Sequence, residues 1–255
     1  MILKSVQIQG SVGKLKAELQ IPTLKSTEKC PIVILMHGVF SDKESPLLIA
    51  IADSLQSKGI ASIRFDFNGY GKSEGKLINM TVPSEVLDAK AVFDYCKTLD
   101  FVSDISLLGH SQGGVVASLA AGDLKDEVKS VVLLASAAVM EDKVNAGIMM
   151  GKTFDTENIP EIFPVNNHQV GREYLASIRT LNIYGRASAY TGPVCIIHGE
   201  KDRMVPYSYA EKYNEIYNNS TLYLLEGETH EFNKNRSLAI TTAVNFLEEL
   251  KHNFF

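Results

Sequence analysis

Polar and apolar residues alternate with period two over residues 4–9 and again over 14–21, on either side of Gly10-Ser11-Val12-Gly13. A period of two turns one face of each segment inward, and the glycine-bounded tetrapeptide is hairpin punctuation, so the chain opens with an antiparallel strand pair. The pattern then changes to short unbroken apolar runs at 32–36, 60–65, 105–108, 128–134 and 194–197, with a further strand at 222–225. Runs of that length without polar alternation are strands covered on both faces. Between most of them the period becomes helical. After Thr81 the apolar positions Val82, Val86, Ala89, Phe93 and Cys96 advance by four, three, four and three, which is one helix face. Thr81 is its N-cap and Pro83 falls in its first turn. Residues 115–121 read as another helix, and Ala239, Ala243, Phe246 and Leu250 mark a helix docked at the chain's end. Strands alternating with helices predict an α/β fold, a mostly parallel sheet of about eight strands with helices on both faces.

One stretch, about 136–190, breaks the alternation: Met149-Met150, Pro160 and Pro164 interrupt a weak periodicity. It predicts an insertion over the sheet, a lid within a single domain spanning 1–255, with a purely structural helical hairpin as the competing reading.

Composition narrows the function classes. The 255 residues are 45% hydrophobic and 22% charged, which suits a globular chain and excludes disordered and collagen-like ones. The net charge is −5, with Lys and Arg spread evenly, so there is no footprint for a nucleic-acid backbone. No apolar run reaches the roughly 18 residues of a membrane span. The amino terminus lacks the apolar core and cleavage site of a secretory signal, which predicts a cytoplasmic protein. Cys30, Cys96 and Cys195 lie far apart without a Cys-x-x-Cys pair and read as buried thiols rather than a zinc or redox site.

The chemistry is concentrated in Gly109-His110-Ser111-Gln112-Gly113, between the apolar strand 105–108 and the helical stretch 115–121. That is the setting of a nucleophile elbow, in which a sharp strand-to-helix turn lifts Ser111 Oγ off the sheet. The flanking Gly109 and Gly113 leave room for the turn, and the helix N-terminus favours developing negative charge. A serine is a poor nucleophile at neutral pH and needs a base that is itself oriented by an acid. Asp202, in His198-Gly199-Glu200-Lys201-Asp202, and His230, in Glu226-Gly227-Glu228-Thr229-His230, each follow a strand's carboxyl end, in the order Ser, Asp, His that accompanies this elbow. Glu200 competes for the acid's role, and Asp66 reads as a pin for its own loop. Of the other histidines, His110 points away from Ser111 Oγ, His198 is a strand-end residue and His168 lies in the insertion. An oxyanion hole needs two backbone donors, one from Gln112 and one from the loop His37-Gly38-Val39-Phe40, where Val39 is the first choice and Phe40 the alternative. Gly71-Lys72-Ser73 looks like the end of a P-loop, but that motif requires glycine where Asp66 stands. No metal or dinucleotide motif is present, and the chemistry indicated needs no cofactor.

Taken together, His37-Gly38, Arg64-Phe65-Asp66-Phe67-Asn68-Gly69-Tyr70-Gly71-Lys72-Ser73, residues 109–114, the Asp202 segment and Gly227-Glu228-Thr229-His230 resemble the α/β-hydrolase superfamily over nearly the whole chain. Within it, the stretches at 65–76 and 109–119 and the size of the insertion look most like the bacterial cinnamoyl (feruloyl) esterases. The resemblance implies an α/β-hydrolase fold and hydrolysis of small aryl esters, hydroxycinnamates above all. It makes Ser111 the nucleophile, His230 the base and then the acid, Asp202 its orienter, and Val39 and Gln112 the oxyanion donors. It implies a small-molecule ester as partner and a homodimer. In the insertion, Tyr174 matches the substrate-binding tyrosine of those esterases. Lys143 stands where they carry an acid, with Asp142 beside it, and Met150 where they carry a polar residue. Methionines and phenylalanines in the insertion suit a less polar acyl group equally well, so a short-chain alkyl ester or monoacylglycerol hydrolase is the alternative. A ligand-binding member of the fold without catalysis is a more distant one.

Overall fold

The opening alternation folds as an antiparallel pair, β1 (Ile2–Gln9) with β2 (Lys14–Ile21), in register from Ile2 opposite Ile21 to Gln9 opposite Lys14. The computed structural model describes residues 2–25 and 27–252. After the hairpin, strands and helices alternate: β3 (Cys30–Met36), α1 (Pro46–Ser57), β4 (Ala61–Phe65), α2 (Val82–Lys97), β5 (Val102–His110), α3 (Gln112–Leu124) and β6 (Val131–Leu134). Between β6 and the next strand of the sheet come α4 (Val139–Asn145), a hairpin of β7 (Ile148–Met149) and β8 (Lys152–Thr153), a second hairpin of β9 (Ile162–Val165) and β10 (His168–Gly171), then α5 (Arg172–Ile178) and α6 (Ile183–Ala187). The chain returns through β11 (Val194–Gly199), α7 (Ser208–Ile216), β12 (Ser220–Leu225) and α8 (Arg236–His252).

Eight strands form one sheet in the order β1-β2-β4-β3-β5-β6-β11-β12, antiparallel at β1/β2 and β2/β4 and parallel elsewhere. The unbroken apolar runs are covered on both faces, as expected. Along β3, Ile32, Ile34 and Met36 enter the core under α2 and α3, whereas Val33 and Leu35 enter the core under α1 and α8. The edge strands β1 and β12 are largely exposed. Thr81 caps α2, its Oγ1 accepting from Ser84 N at 3.2 Å while Ser84 Oγ accepts from Thr81 N at 3.1 Å. The three cysteines are buried free thiols. Among the described residues no helix is long and apolar enough to cross a membrane.

Most strand boundaries differ from the sequence expectation by one to three residues, and two of these strands show why. β5 runs beyond 105–108 at both ends, and its polar Ser106 is accommodated because its hydroxyl meets that of Ser130 at 2.9 Å. β6 starts at Val131 rather than 128, because Val128 still closes the 3-10 turn over Lys125–Glu127. The weak periodicity of 136–190 also has a cause: helices of seven, seven and five residues and two small hairpins are too short to repeat a pattern.

Asp66 does pin a loop. Its carboxylate accepts from Lys43 N at 2.8 Å, Lys43 Nζ at 2.9 Å and Lys72 N at 2.9 Å, and Lys43 O accepts from Arg64 Nη1 at 2.7 Å. The Lys43–Asp66 pair is buried, so both ends of the turn after β3 are held to the sheet rather than left to solvent. His37 adds to this: Phe67 N donates to its Nε2 at 3.3 Å, and its Nδ1 donates to Gly38 O at 2.9 Å.

Candidate active site

β5 ends at His110 and α3 begins at Gln112, leaving Ser111 in the turn with φ 56° and ψ −122°. Such a conformation costs a non-glycine residue about 1–3 kcal/mol and persists only where neighbours enforce it. Here Ser111 N donates to Leu134 O at 2.9 Å, and Ser111 O accepts from Gly114 N and Ala137 N, each at 3.0 Å. Glycine is required on both sides. A Cβ on Gly109 would lie 2.0 Å from Gly113 O, and one on Gly113 would lie 2.4 Å from Met36 O.

The structure brings the three sequence candidates together. His230 Nε2 lies 2.9 Å from Ser111 Oγ, and His230 Nδ1 lies 2.7 Å from Asp202 Oδ2. Asp202 Oδ1 accepts from Met204 N at 2.8 Å and Val205 N at 2.9 Å. Burial pushes the Asp202 carboxyl up, but the hydrogen bonds with His198, His230 and Val205 N outweigh it and hold Asp202 well below the usual carboxylate range. An ionised Asp202 keeps the proton on His230 Nδ1, so Nε2 is left as the acceptor for the Ser111 hydroxyl. All three residues stand beyond the carboxyl ends of parallel strands, β5, β11 and β12, where an open α/β sheet forms its crevice.

The rival residues are elsewhere. Glu200 is exposed. His110 Nε2 meets His230 O at 2.9 Å, bracing the backbone of His230, and burial next to His230 lowers the His110 imidazole to about 4. His198 Nε2 donates to Val205 O at 2.9 Å and lies 3.3 Å from Asp202 Oδ2. His168 is exposed and its ring stacks on Phe40 at 4.3 Å. Among the described residues, His110, His230 and Glu231 are the group spaced to hold a metal ion, but both ring nitrogens of His230 are already engaged by Ser111 and Asp202.

Ser111 and His230 open into a cavity of about 410 Å³, which Val39, Gln112, Lys143, Met150 and Tyr174 also line. Asp202 sits behind His230 and does not line it. Among the described residues, neither the Val39 N–H nor the Gln112 N–H has a protein acceptor, and both residues flank Ser111 in the cavity wall. Phe40, the alternative donor, is not part of that wall. Val139, Met140, Val144 and Met149 make the wall predominantly apolar.

Two features were missed by the sequence reading. Arg203, next to Asp202, lines the cavity. Glu85 of α2 is buried and holds the Gln112 side chain: Gln112 Nε2 donates to Glu85 Oε1 at 2.9 Å and Oε2 at 2.7 Å, while Tyr174 OH donates to Gln112 Oε1 at 2.6 Å. This chain of bonds ties α2, the turn at Ser111 and α5 together. A signal was available, because Glu85 shares the buried face of α2 with Val82 and Ala89, an acid on an apolar helix face. Burial, reinforced by the charge of Asp88, pushes the Glu85 carboxyl from 4.5 up to about 8 against the opposing hydrogen bonds with Gln112 and Tyr70. The folded protein thus keeps a proton that the unfolded chain releases in this window, and the Glu85 contribution to stability declines as pH rises. The expected result in urea titrations is that the wild type loses stability relative to Glu85→Gln as pH goes from 4.5 to about 8; a pH-independent difference would contradict this.

Comparison with known proteins places the chain in a family. The serine aminopeptidase S33 family matches residues 27–157. Est1E from Butyrivibrio proteoclasticus, in a structure with ferulic acid bound, is 33% identical, with 96% of this chain and 98% of that chain covered and a TM-score of 0.92. Human Protein ABHD12B is 26% identical over 190 residues, 74% of this chain but 51% of its own length, so this chain spans about half of that relative. The monoacylglycerol lipase of Mycolicibacterium smegmatis is 25% identical over 208 residues, covering 71% of this chain and 73% of the lipase. With more than half its length inside the family match and its sheet in this order, the chain belongs to the serine aminopeptidase S33 family and is a serine hydrolase of the α/β-hydrolase fold.

Proposed function

We propose that this chain hydrolyses carboxylic esters of small aryl acids, hydroxycinnamates in the first place, through an acyl-enzyme on Ser111. The observation that carries the reading is the continuous hydrogen-bonded chain from Ser111 Oγ through His230 to Asp202, at 2.9 and 2.7 Å, opening into an apolar cavity. Ser111 Oγ attacks the ester carbonyl while His230 Nε2 takes its proton. The N–H groups of Val39 and Gln112 hold the resulting oxyanion, a contribution of the kind worth about 3–4 kcal/mol per donor. His230 then gives its proton to the departing alcohol. Water, deprotonated by the same nitrogen, releases the acid from Ser111. Asp202 stays ionised throughout and stabilises the imidazolium.

The aryl preference is supported by the likeness to Est1E, which binds ferulic acid, and by Tyr174 in the cavity wall. The Tyr174 hydroxyl donates to Gln112 Oε1, which fixes the ring in the cavity wall. A second reading, aliphatic acyl esters, is favoured by Met140, Met149 and Met150 in the same wall, since methionine adapts to varied shapes. Under the lid formed by 136–190 the two readings differ only in the acyl group. The test is kcat/KM for methyl ferulate and methyl p-coumarate against methyl butyrate and a monoacylglycerol, with Ser111→Ala protein as blank. The aryl esters should lead. A lead for the aliphatic esters would move the assignment to the second reading.

A further inference from the structure

The cavity wall carries two cations and no acid. Lys143 reaches it from α4 and Arg203 from the loop that holds Asp202, so two separate elements present positive charge around the opening that contains Ser111. Among the described residues neither side chain has an ion pair or a hydrogen bond. The acids next to them in sequence are occupied elsewhere. Glu141 accepts from Asn182 N at 2.6 Å and Ile183 N at 3.0 Å, and Asp142 accepts from Tyr209 OH at 2.7 Å. Asp202 is held by His230 and by the amides of Met204 and Val205.

Free lysines and arginines are ordinary on an open surface, where water solvates them. Lys143 is half-buried and Arg203 exposed, but both border a concave wall made of Val139, Met140, Val144 and Met149. Charge of one sign beside low-dielectric walls concentrates its field in the cleft and raises the local concentration of the opposite charge. The guanidinium of Arg203 presents a planar fork suited to a carboxylate, and Lys143 adds a point charge from the other element. We propose that the preferred substrate is an ester bearing a carboxylate remote from the scissile carbonyl, recognised by Lys143 and Arg203. The proposal rests on the ester-hydrolase reading above and specifies the substrate class for the same site. The carboxylate can belong to the acyl half or to the alcohol half of the ester.

Two matched pairs separate these sources. Caffeoylquinate against its quinate methyl ester, followed by caffeate release, places the charge on the alcohol. Mono-p-nitrophenyl adipate against p-nitrophenyl hexanoate places it on the acyl chain. The wild type should favour the charged member of at least one pair by about tenfold in kcat/KM, as expected for one hydrogen bond to a charged group. That ratio should fall toward one in Lys143→Met and Arg203→Gln and should shrink as salt is raised. Equal rates on both members of both pairs, a preference for the neutral esters, or a preference that survives both substitutions would overturn the proposal while leaving ester hydrolysis standing. Turnover of none of the four above the Ser111→Ala blank would remove the ester-hydrolase reading and this proposal with it.

Discussion

Ser111→Ala is expected to lower kcat by a factor on the order of a million while leaving the fold in place. The size follows from what the hydroxyl does in the site. Ser111 Oγ is the atom 2.9 Å from His230 Nε2, and without it neither the attack nor the proton transfer has a substitute. What is left in the variant is the cavity and the Val39 and Gln112 amides, a remnant worth about a thousandfold to ten-thousandfold over water. The fold survives because alanine keeps the Cβ and because the backbone at position 111 is held by Leu134, Gly114 and Ala137 rather than by the hydroxyl. Steady-state kinetics with a thermal melt on the same sample checks both halves. Residual activity within tenfold of the wild type would contradict the assignment of the nucleophile.

Asp202→Asn is expected to lower kcat by about ten-thousandfold with little change in KM. Met204 N and Val205 N both donate to Asp202 Oδ1, so the asparagine oxygen is retained on that side and its NH2 faces His230 Nδ1. Two donors cannot face each other. The imidazole must then carry its proton on Nε2, where it can no longer accept from Ser111. A variant with near wild-type kcat would show that Asp202 does not orient His230.

The fold and the contacts at Ser111 were legible for different reasons. The covered, mostly parallel sheet follows from runs such as 32–36 and 194–197, whose lack of polar alternation requires cover on both faces, and the sheet meets that requirement. The elbow is a local feature: strand, glycine, serine, glycine and helix are contiguous, so the neighbours that shape it are visible in the sequence. Asp202 and His230 could be placed because each directly follows an apolar strand, and parallel strands bring their carboxyl ends to one side. The network around Gln112 was not legible, because Glu85 stands 27 residues before it and Tyr174 stands 62 residues after it. No periodicity links partners at such separations. Arg203 carries no signal in the sequence, because which way an arginine leaves a loop depends on the wall it meets. The start of β6 is not marked in the sequence, because an apolar Val128 suits a turn end as well as a strand.

The most direct test of the central claim is mass spectrometry of the folded protein after reaction with a fluorophosphonate. A serine activated by His230 should take up one probe per chain, located on the peptide containing Ser111, and uptake should vanish in Ser111→Ala and fall sharply in His230→Ala. Labelling of a different residue, or of none in protein that retains its native melting transition, would contradict the account of Ser111 as the nucleophile.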